Sequence, residues 1–241
     1  MPGSLAFSYF DRKVNPMDKR CFLQVLTAFV LLIISCTSAD KNKSNEPSLV
    51  GKTENKKTTK TPVTKKRSTE KTAKKYTVSN RASEIASYAD QKGYSTKYCF
   101  LIDMSLPGGR NRFFVYDLEK RSVAYSGLVA HGSCNERFIS QARFSNTNNS
   151  GCSSPGKYKV GAFYRGKYGE SYRLYGLDKG NSNACQRGVV IHGYDCVPDE
   201  EIYPRVLCNS LGCPMVSYNF FDRLSRIIEQ SEKPVLLWIY R

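Results

Sequence analysis

The chain has 241 residues, with 37 Lys and Arg against 21 Asp and Glu, a formal charge of +16 and 9 cysteines. That length holds one good-sized domain with appendages, or two small ones. Much of the charge falls in a low-complexity stretch near the N-terminus, so the basic balance alone does not imply a basic binding face.

The first organised segment reads "MDKRCFLQVLTAFVLLIISC". Lys19 and Arg20 form a positive n-region ahead of the apolar run Phe22 to Ser35, which falls short of the about 20 apolar residues of a membrane-spanning helix. Its end, "IISC", resembles a bacterial lipobox, which would make Cys36 the lipidated first residue of the mature chain. Met17 is then the natural start, and residues 1–36 comprise an upstream extension and a lipoprotein signal peptide. An ordinary signal peptide or a short anchor helix is the plainer reading, and each of them takes the chain out of the cytoplasm. Residues 37–80, with stretches such as "GKTENKKTTKTPVTKKRSTEKTAKK", have almost no large apolar side chains and are expected to form a disordered tether. A flexible coil of that length spans on the order of 35 Å. The lysines suit anionic lipid, an acidic wall polymer or simple solvation. Nucleic acid is set aside, because no aromatic is interleaved with them before Tyr76 and the compartment is wrong.

Ordered structure is expected from about Arg81 to Arg241. "RASEIASYADQKG" places Ala82, Ile85, Ala86 and Ala89 on one helical face, with Gly93 as the stop. Short β segments follow at 98–104, 112–118, 122–130, 157–164, 171–177, 188–193 and 234–240. A helix over 218–230 precedes the last of them, its apolar stripe made of Phe220, Phe221, Leu224, Ile227 and Ile228. The fold class is mainly β, a sandwich or open barrel with one or two helices.

Only two histidines occur, His131 and His192. His192 ends the apolar run "VVIHG", a rim position that suits a catalytic group mounted on a rigid scaffold; a satisfied core histidine is the plainer alternative. Seventeen residues separate His192 from Ser210, giving the pattern H-x17-S-x-G-C with Gly212 and Cys213. This pattern resembles the catalytic domain of the murein L,D-transpeptidases, the YkuD-like family. The likeness extends over "FSNTNNSGCSSPGKY", "YRGKYGESYRLYGLDKGNSNACQRGVVIHG" and "SLGCP", and covers most of residues 98–241. It implies an L,D-transpeptidase-like β-sandwich or open barrel.

The chemistry asks for these residue types on its own terms. A thiol with a pKa of about 8.5 is mostly protonated at neutral pH, and a neighbouring imidazole can take its proton. Gly212 lets backbone N–H groups approach a developing oxyanion, and Ser210 adds a hydroxyl donor or orients the loop. The Gly193 carbonyl is the expected partner that fixes the tautomer of His192. The resemblance implies a peptidoglycan stem peptide as acyl donor, a thioester on Cys213, and an amine, water or a D-amino acid as acceptor. No cofactor or metal is called for. Arg173 and Arg187 lie inside the resembling blocks and are candidates for binding stem-peptide carboxylates. Relatives in this branch often carry Arg where this chain has Asn209; Arg205 is the nearest substitute. His131, in "VAHGSC", is expected at the rim.

Several rivals remain at this point. His192, Cys196, Cys208 and Cys213 have spacings that permit a zinc site. A sortase-like arrangement also orders His before Cys, but wants a strand arginine after the cysteine, whereas Arg223 and Arg226 fall on the expected helix. A wall-binding lipoprotein with little or no activity is the alternative from a different class. Cys99, Cys134, Cys152, Cys185, Cys196 and Cys208 permit up to three disulfides in fifteen pairings, among them Cys134 with Cys152 and Cys185 with Cys196. The expected partners are peptidoglycan stem peptides and a membrane reached through the lipid anchor, with no nucleic acid. The expected location is the cell envelope.

Overall fold

The computed structural model describes the backbone from residue 64 and side chains from residue 78. The signal segment, Cys36 and residues 37–63 of the tether lie outside the described residues. Helix α1 (Thr64–Lys92) is followed by β1 (Tyr98–Asp103), β2 (Phe113–Asp117), β3 (Ser122–Gly127), β4 (Gly156–Gly166), β5 (Gly169–Gly176), β6 (Val190–Gly193), β7 (Met215–Val216), α2 (Tyr218–Glu229) and β8 (Leu236–Tyr240). The helix expected from residue 81 therefore starts earlier, at Thr64. Its first turns fall in the stretch expected to be a disordered tether. The reason is local: no Gly or Pro interrupts Thr64–Lys92, and its Lys, Ala and Glu are good helix formers. Val78, also ahead of the expected boundary, is buried.

One eight-stranded sheet runs in the order β3-β2-β1-β8-β4-β5-β6-β7. β1 with β8 and β6 with β7 are parallel; the other neighbours are antiparallel. The chain just past β3 comes back against the far edge, where Ala130 pairs with Met215, so the sheet nearly closes on itself as a barrel. β7 has only two residues and sits beside Pro214, which is why periodicity did not expose it.

Alternation along the strands serves two cores. Phe100 and Ile102 of β1, Phe113 and Val115 of β2, and Leu237 and Ile239 of β8 point inward, where Phe220, Phe221 and Leu224 of α2 join them. Cys99, Leu101, Phe114, Tyr116, Leu236, Trp238 and Tyr240 point outward and are covered by Val78, Ala82, Ile85 and Ala89 of α1. Both faces of the β1-β2-β8 region are thus dry, which explains its uninterrupted apolar runs. α2 begins at a defined point because the Ser217 hydroxyl accepts the Phe220 N–H at 3.2 Å, a cap worth about 1 kcal/mol. The strand β6 ends where this helix begins, and its last two residues are His192 and Gly193.

Candidate active site

β6 and β7 lie side by side in parallel register, with His192 opposite Met215 and Gly193 opposite Val216. Continuing that register backward brings Cys213 alongside Val190, and the Val190 N–H donates to the Cys213 sulfur at 3.5 Å. The thiol and the imidazole therefore occupy adjoining chains two residues apart in register. Cys213 is a free cysteine, half-buried, and joined to no other sulfur. Burial pushes its pKa up, while the Val190 N–H and the positive charge of Arg187 pull it back.

His192 is buried. Its Nδ1 lies 3.0 Å from the Gly193 carbonyl oxygen, an acceptor that keeps the proton on Nδ1 and leaves the Nε2 lone pair available. Burial lowers the pKa of this histidine, and the Gly193 carbonyl opposes the shift. The pair thus rests as neutral thiol and neutral imidazole. Tyr168, from the tight turn between β4 and β5, stacks on the imidazole at 5.0 Å between ring centroids, and Tyr194 meets it edge-on at 6.1 Å.

The loop 209–214 is held from several sides. The Ser210 N–H donates to the His131 carbonyl at 2.8 Å, the Ser133 N–H donates to the Ser210 carbonyl at 2.8 Å, and the Ser210 hydroxyl accepts the Gly212 N–H at 3.0 Å. Ser210 thus orients the loop, and its hydroxyl engages the Gly212 N–H. Gly212 has φ +116, and a Cβ there would lie 2.7 Å from the Cys152 carbonyl oxygen, so a side chain is excluded both by conformation and by space. The Ser153 hydroxyl bridges the Gly132 N–H, at 3.0 Å, and the Gly212 carbonyl, at 3.4 Å.

Arg187 does not hold its guanidinium ready for a substrate carboxylate. It donates to the Ser145 carbonyl at 2.9 Å, to the Ser154 hydroxyl at 3.1 Å and to the Cys152 carbonyl, and so staples the 145–154 loop beneath Gly212. Cys152 is tied in turn to Cys134 by a disulfide. Arg173 pairs in register with Val190 on β6, and its guanidinium lies over the Tyr164 ring at 4.4 Å. Arg205 lines a different cleft, with Gln141, Tyr203 and Arg241, that neither His192 nor Cys213 enters.

Other expectations need correction. His131 is not at a rim. It is buried, with Arg112 donating to its Nδ1 at 2.8 Å and the Asn209 amide nitrogen 3.3 Å from its Nε2. Burial first, and the Arg112 charge second, push its pKa down to about 4. Asn209 is a structural clamp: its side chain accepts the Ile139 N–H at 2.7 Å and donates to the Ile139 carbonyl at 3.1 Å. Cys196 is bonded to Cys208, so the Cys185 to Cys196 pair is not formed and two of the four zinc ligands weighed from spacing are spent. Among the described residues no cluster of three or more His, Cys, Asp or Glu suits a metal. Sequence reasoning missed Arg112 and Tyr168. Nothing in "NRFFVYDL" marks Arg112 as an interior side chain, whereas the glycines flanking "KY" at 167–168 do mark the turn that carries Tyr168.

The fold and site define a nearly closed β domain that sets an unpaired cysteine beside a histidine on adjoining strands. Residues 69–240 match the L,D-transpeptidase catalytic domain, and the chain belongs to that family. No curated protein matches it. Among solved structures it is similar to an L,D-transpeptidase from Xylanimonas cellulosilytica, at 15% identity, covering 64% of this chain and 68% of that one with a TM-score of 0.36. It is also similar to the helical cell shape determining protein Pgp2 from Campylobacter jejuni, at 14% identity over 60% of this chain and 47% of that one, TM-score 0.36. A third is Bd1075 from Bdellovibrio bacteriovorus, at 15% identity over 61% of this chain and 49% of that one, TM-score 0.38. The chain thus spans about half the length of the last two.

Proposed function

We propose that this chain is a cell-wall acyltransferase that attacks peptidoglycan stem peptides with Cys213. His192 Nε2 takes the thiol proton as the sulfur adds to the carbonyl between the L-centre of the third residue and the D-residue after it. The tetrahedral oxyanion is met by backbone N–H groups of the 212–213 turn, with that of Cys213 itself the better placed, because the Gly212 N–H is engaged by Ser210. His192 then returns the proton to the leaving amine, and a thioester remains on Cys213. An amine from another stem peptide resolves it as a cross-link; water would make the same apparatus a carboxypeptidase, and a free D-amino acid would give exchange. Arg173 is the arginine left to bind a donor carboxylate. Lipidation at Cys36 would hold this domain at the membrane of the cell envelope.

The observation that carries this reading is the ladder of β6 and Cys213: the Val190 N–H on the sulfur, and two residues on an imidazole whose Nδ1 is fixed by its own following carbonyl. The test is intact mass spectrometry after incubation with a tetrapeptide-bearing muropeptide. An adduct on Cys213 with loss of the terminal D-amino acid is expected, and Cys213→Ala should lose both. Turnover that persists in Cys213→Ala refutes the assignment.

A further inference from the structure

Among the described residues Arg112 is the largest side chain to be fully buried, at 1% exposure. Burial lowers its pKa to about 10, against the pull of Asp103, so it stays charged at neutral pH. An interior cation is costly unless its donors are met. Its Nε and Nη2 both donate to the Val129 carbonyl, at 3.1 and 2.8 Å, and its Nη1 donates to the Leu106 carbonyl at 3.1 Å. Nη2 also lies 2.8 Å from His131 Nδ1. None of these partners is a carboxylate.

The acceptors belong to the seam of the barrel. Residues 129–133 lie past the end of β3 and form isolated bridges, Ala130 to Met215 and Gly132 to Ser210, in place of a ladder. The segment that carries the nucleophile hangs from them on both sides of Cys213. Ahead of the sulfur, the Ser210 N–H donates to the His131 carbonyl and the Ser133 N–H to the Ser210 carbonyl, each at 2.8 Å. Behind it, the Ala130 N–H donates to the Met215 carbonyl at 2.8 Å, and Met215 is the residue opposite His192 on β6. The register of 129–133 therefore fixes where the sulfur stands relative to the imidazole.

We propose that Arg112 is a positioning residue for the acyl transfer: its guanidinium closes the seam in place of a strand neighbour and, through residues 129–133, sets the reach between Cys213 and His192. This rests on the acyltransferase reading above. A planar fork meets the carbonyls of two segments and a ring nitrogen from one stem, which a single ammonium cannot do. The proton leaves the sulfur for His192 Nε2 only if the two stand in line. A shift of the seam by about 1 Å therefore acts on the rate, while substrate binding, in which the buried Arg112 takes no part, is left alone.

The test uses the full-length protein and a tetrapeptide-bearing muropeptide. Thioester formation on Cys213 is timed by mass spectrometry at a temperature where circular dichroism shows each variant folded. Arg112→Lys keeps the charge and loses the fork; it should slow the reaction at saturating substrate on the order of 10²-fold, with the half-saturating concentration little changed. His131→Leu removes one acceptor and leaves the backbone carbonyls in place, and should slow it about tenfold. His131→Asn, whose amide oxygen accepts from the same Nη2, should recover most of that loss. A folded Arg112→Lys that reacts at the wild-type rate, or that loses affinity with its rate intact, overturns the proposal. Should that variant not fold, a wild-type rate in His131→Leu overturns it equally. Both outcomes leave the Cys213 chemistry in place, whereas absence of a thioester on the wild type, read first, overturns the acyltransferase reading itself.

Discussion

At the scale of single residues, the reactivity of Cys213 reflects opposing influences. Burial raises its pKa, and the Val190 N–H and Arg187 lower it. Arg187 is therefore a positioning residue with two effects: it fixes the 145–154 loop by three hydrogen bonds, and its positive charge favours the thiolate of Cys213. Replacing it by Gln should shift the pH profile of Cys213 alkylation toward higher pH. Leaving those acceptors without a charged donor should also cost about 2 kcal/mol of stability. Arg187→Lys separates the effects, because it keeps the charge but loses the fork. Its alkylation profile should stay near that of the wild type while its stability falls as far as that of the Gln variant. Equal displacement of both profiles would assign Arg187 to the loop alone.

At the scale of elements, the loop 209–214 is shaped by contacts with residues distant in the chain. Its central glycine has φ +116 and faces the Cys152 carbonyl at a distance no side chain tolerates. Gly212→Ala should leave the rest of the sheet folded but displace the sulfur, and a misplacement of that kind costs on the order of 10²-fold in rate. Thioester formation followed by mass spectrometry, alongside an unchanged circular dichroism spectrum, checks this. His192, Ser210, Gly212 and Cys213 stood out in the sequence by their spacing and by its resemblance to the L,D-transpeptidase catalytic domain. Most strands and α2 were legible too, since alternation and helical periodicity leave a regular trace. The surroundings were not. Arg187 reads in the sequence as a candidate for a substrate carboxylate, and only the folding of residues 145–154 shows where its donors go. Asn209, where relatives often carry Arg, proves to be a clamp on Ile139, a contact spanning 70 positions. The two-residue β7 is too short for any pattern to register.

At the scale of the whole molecule, stability depends on groups far from Cys213 and His192. α1 covers the outer face of β1, β2 and β8 with Val78, Ala82, Ile85 and Ala89. Burying Val78 and Ile85 alone contributes on the order of 5 kcal/mol, comparable with the whole stability of a small domain. A chain starting at residue 78 should melt as a cooperative unit, and one starting at residue 93 should not fold; calorimetry distinguishes them. Acid acts through a buried histidine near the edge where the sheet closes. His131 is held neutral in the fold, its pKa down at about 4 from an ordinary 6.5, by burial and by Arg112. Between those values the unfolded chain binds a proton that the folded chain refuses, so stability is fully present above about pH 6.5 and is lost as the pH falls toward 4. The loss attributable to this residue is roughly 3 kcal/mol. His192, whose pKa is also lowered, adds to it in the same direction. Asp117 and Asp199, held below the ordinary carboxylate range by hydrogen bonds, weaken the fold only at still lower pH. In His131→Asn an amide oxygen can take over acceptance from Arg112 and cannot titrate. Urea midpoints measured from pH 7 to pH 4.5 should therefore fall less steeply in that variant than in the wild type. Parallel slopes would mean that the buried imidazole is not the group through which acid loosens this domain.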